Sequence, residues 1–179
     1  MKLKQWIAPL AAVLLMAAVL LGASTALRGV AEANAKAELE SMIAFMLPES
    51  STFTEEAYDG EDPAITAVYK GETGYVIQTS TTGYAGEVVL LVGVDNDGEV
   101  TGLMVRQLSE TWGLGAEALR DSDFLIQFLG TEGDAEIGEN VDAITGATVT
   151  SKAIARGVNA AVGFVTGADT SSGATSWGG

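Results

Sequence analysis

The stretch Glu87-Val88-Val89-Leu90-Leu91-Val92-Gly93-Val94-Asp95-Asn96-Asp97-Gly98-Glu99-Val100-Thr101-Gly102-Leu103-Met104-Val105-Arg106-Gln107-Leu108 decides the fold. Residues 87–94 are almost all Val and Leu, and residues 99–108 return to similar chemistry, so both runs suit the pleated, half-buried surface of a strand. Between them stand Asp95-Asn96-Asp97-Gly98, residue types that tolerate left-handed backbone and turn the chain. Two such runs around such a turn predict an antiparallel hairpin. On the N-terminal side, residues 65–70 and 75–79 flank a turn at 71–74 and predict a second hairpin. On the C-terminal side, Asp121-Ser122-Asp123 precedes Phe124, Leu125, Ile126 and Phe128, which predicts a short helix with an acidic first turn, apolar residues in the core and an end at Gly130. A longer helix is predicted from near Thr150, where Ile154, Val158, Ala161, Val162 and Val165 recur at spacings of three and four. Hairpins followed by helices, without regular βαβ alternation, predict an α+β domain with a mostly antiparallel sheet and packed helices.

The N-terminal part has a different composition. No residue from Gln5 to Leu27 is charged, and as a helix the apolar residues 6–27 would extend about 33 Å, enough to cross a bilayer core of roughly 30 Å. A cleavable signal peptide ending at the small residues Ala33 and Ala35 is the other reading, but signal cores run only about 7 to 15 residues, so length favours a transmembrane helix. Lys2 and Lys4 precede the run and Glu32, Glu38 and Glu40 follow it, which keeps the N-terminus cytoplasmic and places the rest outside. The expected organisation is therefore a cytoplasmic N-terminus and transmembrane helix over 1–28, a juxtamembrane helix or stalk over 29–48 closed by Pro48, a domain over 49–166 and a flexible tail over 167–179. The lipid bilayer is the expected partner of residues 6–27.

Charge and absent residue types exclude whole classes of function. All 24 acidic residues follow Arg28, against six basic ones, giving that part a net charge of −18 and excluding nucleic acid as a partner. The chain has neither Cys nor His. It supplies no thiolate for an iron–sulfur cluster, no imidazole for haem or zinc, and no Cys or His for a catalytic triad. Redox chemistry here would require an organic cofactor or a metal held only by oxygen.

Two segments could carry such a cofactor. Asp142-Ala143-Ile144-Thr145-Gly146-Ala147-Thr148-Val149-Thr150-Ser151 leads into the predicted long helix. A helix start offers free backbone N–H groups and a positive dipole end, so a phosphate on the Thr148 hydroxyl would meet aligned donors, and Gly146 and Ala147 would let the backbone approach. The same Thr and Ser residues also serve as ordinary helix caps after a Gly turn. In Ser109-Glu110-Thr111-Trp112-Gly113-Leu114-Gly115-Ala116, the glycines give a weak phosphate-loop signal that ordinary turns share.

The first segment resembles the flavinylation motif of the FMN-binding domain family: Asp, two residues, Ser or Thr, then Gly-Ala-Thr. Asp142, Thr145, Gly146, Ala147 and Thr148 match every fixed position. The resemblance implies that a separate flavin transferase, with FAD as donor, esterifies Thr148 to the FMN phosphate, and that Asp142 is the recognition position. The second segment resembles the Glu-Thr-x-Gly-Leu-Gly loop of the same family, which implies that Glu110, Thr111, Gly113, Leu114 and Gly115 line the flavin. Trp112 stands where Pro is most frequent; it either stacks on the isoalloxazine or covers apolar surface.

The layout of one membrane helix, a stalk and one FMN-binding domain is similar to that of the G subunits of Rnf electron-transport complexes. That resemblance implies a covalent-FMN relay in a membrane-bound, ion-translocating ferredoxin:NAD oxidoreductase, with other membrane subunits as partners, the inner membrane as location and no complete active site of its own. The equivalent C subunits of sodium-pumping NADH:quinone oxidoreductases share the layout but are usually longer. An exported binding or sensor module without redox role is the alternative of a different class. Finally, Asp169-Thr170-Ser171-Ser172-Gly173-Ala174-Thr175 repeats the motif at the same spacing, so Thr175 is either a second flavin acceptor or a coincidence of a tail rich in small residues.

Overall fold

The computed structural model describes residues 4–108 and 122–168, without the side chains of 4–11, 13–14, 20–21, 23–26 and 107–108. Two compact units divide it, Met1–Ser41 and Met42–Gly179. The first is helical throughout its described residues, as part of α1 (Lys4–Met46). The helix ends two residues before Pro48, as the restriction that proline places on its predecessor requires. Among the described residues no helix is long and apolar enough to cross a membrane. Most side chains of the 6–27 run lie outside those described.

The second unit is built on a five-stranded sheet in the order β1 (Thr54–Glu56), β2 (Ile65–Lys70), β3 (Gly74–Thr82), β4 (Glu87–Asp95), β5 (Val100–Leu108). Every neighbouring pair is antiparallel. Both predicted hairpins are present, with the 95–98 turn closed by Asp95 Oδ1, which accepts from the N–H groups of Asp97 (3.0 Å) and Glu99 (2.8 Å). β1 was not foreseen: its Thr-Glu-Glu is exposed throughout and shows no hydrophobic alternation.

Strand β4 is buried on both faces from Val88 to Val94. On one face, Val88, Leu90, Val92 and Val94 join the main core with Val68, Ile77, Val100, Phe124, Phe128 and the apolar side of the last helix. On the other face the backbone rises close to the end of α1. Gly93 pairs with Gly102 across β4 and β5, and a side chain at either would collide with Met46. Thr101 Oγ1 donates to the Met46 carbonyl at 3.0 Å, and Ile43 and Met46 are buried. A sheet covered on both sides explains why β4 reads as an unbroken apolar run.

After β5 come α2 (Ser122–Leu125), a 3₁₀ turn (Ile126–Phe128) and α3 (Thr148–Thr166). The predicted short helix is thus a single turn that tightens into 3₁₀. Phe124 and Phe128 are core and meet edge to face at 5.2 Å, but Ile126, two residues from each, is 62 % exposed. The long helix starts at Thr148, two residues before the expected Thr150, and buries Ile154, Val158, Ala161 and Val162.

Candidate functional site

Strand register fixes where the two motif segments arrive. Thr81 pairs with Val88, and Val88 with Leu108, so the ends of β3 and β5 and the beginning of β4 share one end of the sheet. Thr81 Oγ1 also donates to the Ala153 carbonyl at 2.8 Å, which brings the N-terminal turns of α3 to that end. At the opposite end, the last helical residue Thr166 lies against Gly98 in the 95–98 turn. The start of α3 and the last residue of β5, Leu108, therefore lie at the same end. The loop carrying Glu110, Thr111, Trp112, Gly113, Leu114 and Gly115 lies outside the described residues, as does Thr175.

The path from Asp142 to Thr148 is set by local hydrogen bonds. Ala147 N–H donates to the Ile144 carbonyl at 2.9 Å, closing a turn in which Gly146 has φ of 80°, a left-handed value that favours glycine. Ala147 is then the N-cap, with φ −124° and ψ 32° and no side-chain cap hydrogen bond. The reading of the nearby threonines as mere caps does not hold at this position, since Thr148 is already the first helical residue. Ala147 is buried, whereas Asp142, Thr145, Gly146 and Thr148 are on the surface. The first turn of α3 carries no acidic residue. A phosphate on the Thr148 hydroxyl would thus face a helix start and its positive dipole end, with no carboxylate in that turn to repel it. The donor set fits the group.

Sequence reasoning offered Ser151 only as a helix cap and did not single out Gln127 or Asn159. Gln127 Oε1 accepts from Asp142 N–H at 2.8 Å. Ser151 Oγ accepts from Ile144 N–H at 3.2 Å and donates to the Ala147 carbonyl at 3.0 Å. Asn159, buried within the apolar stripe of α3, accepts from Ala135 N–H at 3.1 Å and donates back to its carbonyl at 2.9 Å. A polar amide amid Val158, Ala160, Ala161 and Val162 was the available signal, because such a group is buried only with partners.

Among the described residues, two clefts flank α3. One of about 590 Å³ is lined by Ser80, Thr82, Glu87 and Arg156 among others, and one of about 670 Å³ by Tyr58, Phe164 and Gly167 among others. Neither includes a residue from the 142–151 segment. The chemistry of that segment rests on the turn and helix start, not on these clefts.

Residues 83–163 match the FMN-binding domain family. The chain is 41% identical over 100 residues to the G subunit of the Na(+)-translocating ferredoxin:NAD(+) oxidoreductase complex of Acetobacterium woodii, covering 50% of this chain and 47% of that one. It is 42% identical over 99 residues to the G subunit of the proton-translocating ferredoxin:NAD(+) oxidoreductase complex of Clostridium ljungdahlii, covering 51% and 53%. The G subunit of the ion-translocating oxidoreductase complex of Methanosarcina acetivorans is 33% identical over 134 residues, covering 67% of this chain and 71% of its own. The matched part amounts to about half the length of the first two relatives. With the sheet, the helix start at Thr148 and these likenesses together, the chain belongs to the FMN-binding-domain family that includes the G subunits of ion-translocating oxidoreductase complexes.

Proposed function

We propose that this chain is the covalent-FMN electron-transfer subunit of a membrane-bound, ion-translocating ferredoxin:NAD oxidoreductase complex of the Rnf type. The observation that carries the reading is the exposed Thr148 as first residue of α3, within a segment that matches the family's flavinylation motif from Asp142 onward. Modification forms a bond from Thr148 Oγ to the FMN-side phosphorus of FAD while the pyrophosphate bond breaks, AMP leaves and the hydroxyl proton is released. A flavin transferase performs that step, with Asp142 as its recognition residue. Bound FMN supplies reversible one- and two-electron chemistry.

The chain's own residues hold and orient that group. The helix start of α3 offers backbone N–H groups to the phosphate, Gly146 and Ala147 keep side-chain bulk away from it, and the resemblance of Glu110 to Gly115 to the family's loop supports that segment as lining for the flavin. No side chain need act as acid or base. A covalent tether suits a domain outside the cytoplasm, where a dissociated cofactor would be diluted away. The apolar part of α1 over residues 6–27 serves as the single membrane span, with the N-terminus cytoplasmic; its support is the absence of charge and a helix that continues without break to Met46. Other membrane subunits of the complex exchange electrons with the flavin.

Intact-mass spectrometry of the protein from its own membranes, beside Thr148→Ala and Thr175→Ala variants, tests this. One added FMN that vanishes in Thr148→Ala is the expected result, and a second, lost in Thr175→Ala, would make the tail another acceptor. A native protein without FMN would overturn the reading in favour of an exported binding module.

A further inference from the structure

The segment that carries Thr148 is held from two sides, and each hold is made to its main chain. Gln127, in the 3₁₀ turn, accepts from Asp142 N–H at 2.8 Å across fifteen residues of sequence. Ser151, one turn into α3 and fully buried, accepts from Ile144 N–H at 3.2 Å and donates to the Ala147 carbonyl at 3.0 Å. Between these two points the turn is closed by Ala147 N–H on the Ile144 carbonyl at 2.9 Å, and Ser151 N–H reaches the Ala147 carbonyl at 2.9 Å. The backbone is thereby constrained on both sides of Thr145 and up to the residue before Thr148. The side chains of Asp142, Thr145 and Thr148 remain on the surface.

A group attached through a flexible hydroxyl ester inherits the motion of the backbone beneath it. Each rotatable bond left free costs orientation when the group must meet a partner in one geometry, so fixing the attachment point reduces that cost. We propose that Gln127 and Ser151 are positioning residues for the covalently held flavin: they immobilise the backbone from Asp142 to Ala147, so that the phosphate stays at the first turn of α3. Neither residue touches the reacting ring. The inference rests on Thr148 being the acceptor.

The test uses the full flavinylated chain in a Thr175→Ala background, so that only one acceptor is present. Flavin fluorescence anisotropy decay and the ³¹P resonance of the phosphodiester are compared for the parent, Gln127→Met, Gln127→Glu, Ser151→Ala and Ser151→Thr, together with each protein's thermal midpoint. Gln127→Met keeps the side-chain length but removes the acceptor, and Gln127→Glu retains it; Ser151→Thr likewise retains the hydroxyl. The expected result is a decay component faster than overall tumbling and a shifted ³¹P resonance in the Met and Ala variants, both absent in the parent and reversed in the Glu and Thr variants. Parent-like decay and ³¹P shift in the Met and Ala variants would overturn the inference while leaving Thr148 as acceptor. Added motion in all four variants in step with lowered thermal midpoints would also overturn it, marking a merely structural role. A parent chain without flavin on Thr148 would instead remove the reading on which it rests.

Discussion

Thr148 owes its surface position to the residue before it. Ala147 is small enough to be buried at the N-cap, and the chain then enters α3 with Thr148 exposed. Replacing Thr148 with Ala therefore removes the acceptor hydroxyl at little cost to the fold, within about 0.5 kcal/mol for an exposed site. Denaturant titration checks the stability, and mass analysis the loss of FMN. Thr148→Ser, which keeps a hydroxyl, is expected to retain the cofactor. Gly146 behaves differently, since at φ of 80° a side chain is strained. Gly146→Val is expected to lower unfolding free energy by at least about 1 kcal/mol, measured by the same titration. The motif proposed as acceptor could be read because its small residues and hydroxyls stand together in sequence. Its hold by Gln127 could not, because Gln127 stands fifteen residues from its partner Asp142 and no local pattern encodes such a distance.

Among the elements, β4 and β5 were the most legible, since a Val- and Leu-rich run and a second β-prone run around an Asp-Asn-Asp-Gly turn leave little else for the chain to form. The edge strand β1 was not, because pairing with β2 decided it rather than hydrophobic alternation. Helix α3 comes closest to the sheet at Gly157, where an added Cβ would stand 2.8 Å from both Leu90 Cδ1 and Thr79 Oγ1. Both neighbours are fully buried and have little room to retreat. Gly157→Ala gains about 1 kcal/mol in helix propensity but overpacks at about 1 to 3 kcal/mol, so a net lowering of Tm by a few degrees is expected in calorimetry. Strand β2 carries an alkaline sensitivity. Burial, followed by Glu55, raises the pKa of Tyr69, with Arg106 opposing. As pH rises above the ordinary value of 10.0, the unfolded chain loses this proton first, so stability falls from there up through the folded value. Tyr69→Phe is expected to flatten that decline in urea titrations above about pH 10.

At the scale of the molecule, Met42–Gly179 holds its own core and sheet. Deleting residues 1–41 is expected to leave a domain with a cooperative thermal transition that still accepts FMN at Thr148, while membrane association is lost; fractionation and calorimetry check both. The sheet has two unlike ends. Near the 95–98 turn, Gly93 and Gly102 receive the last turn of α1, and at the other end α3 begins with Thr148. The strand that links these ends is the one with no solvent-facing residue from Val88 to Val94. Paired on both edges and covered on both faces, its amide protons can trade with deuterium only when the whole domain opens. Hydrogen exchange along β4 would therefore read the global unfolding free energy directly, whereas protons around the single turn of α2 would exchange through smaller, cheaper openings.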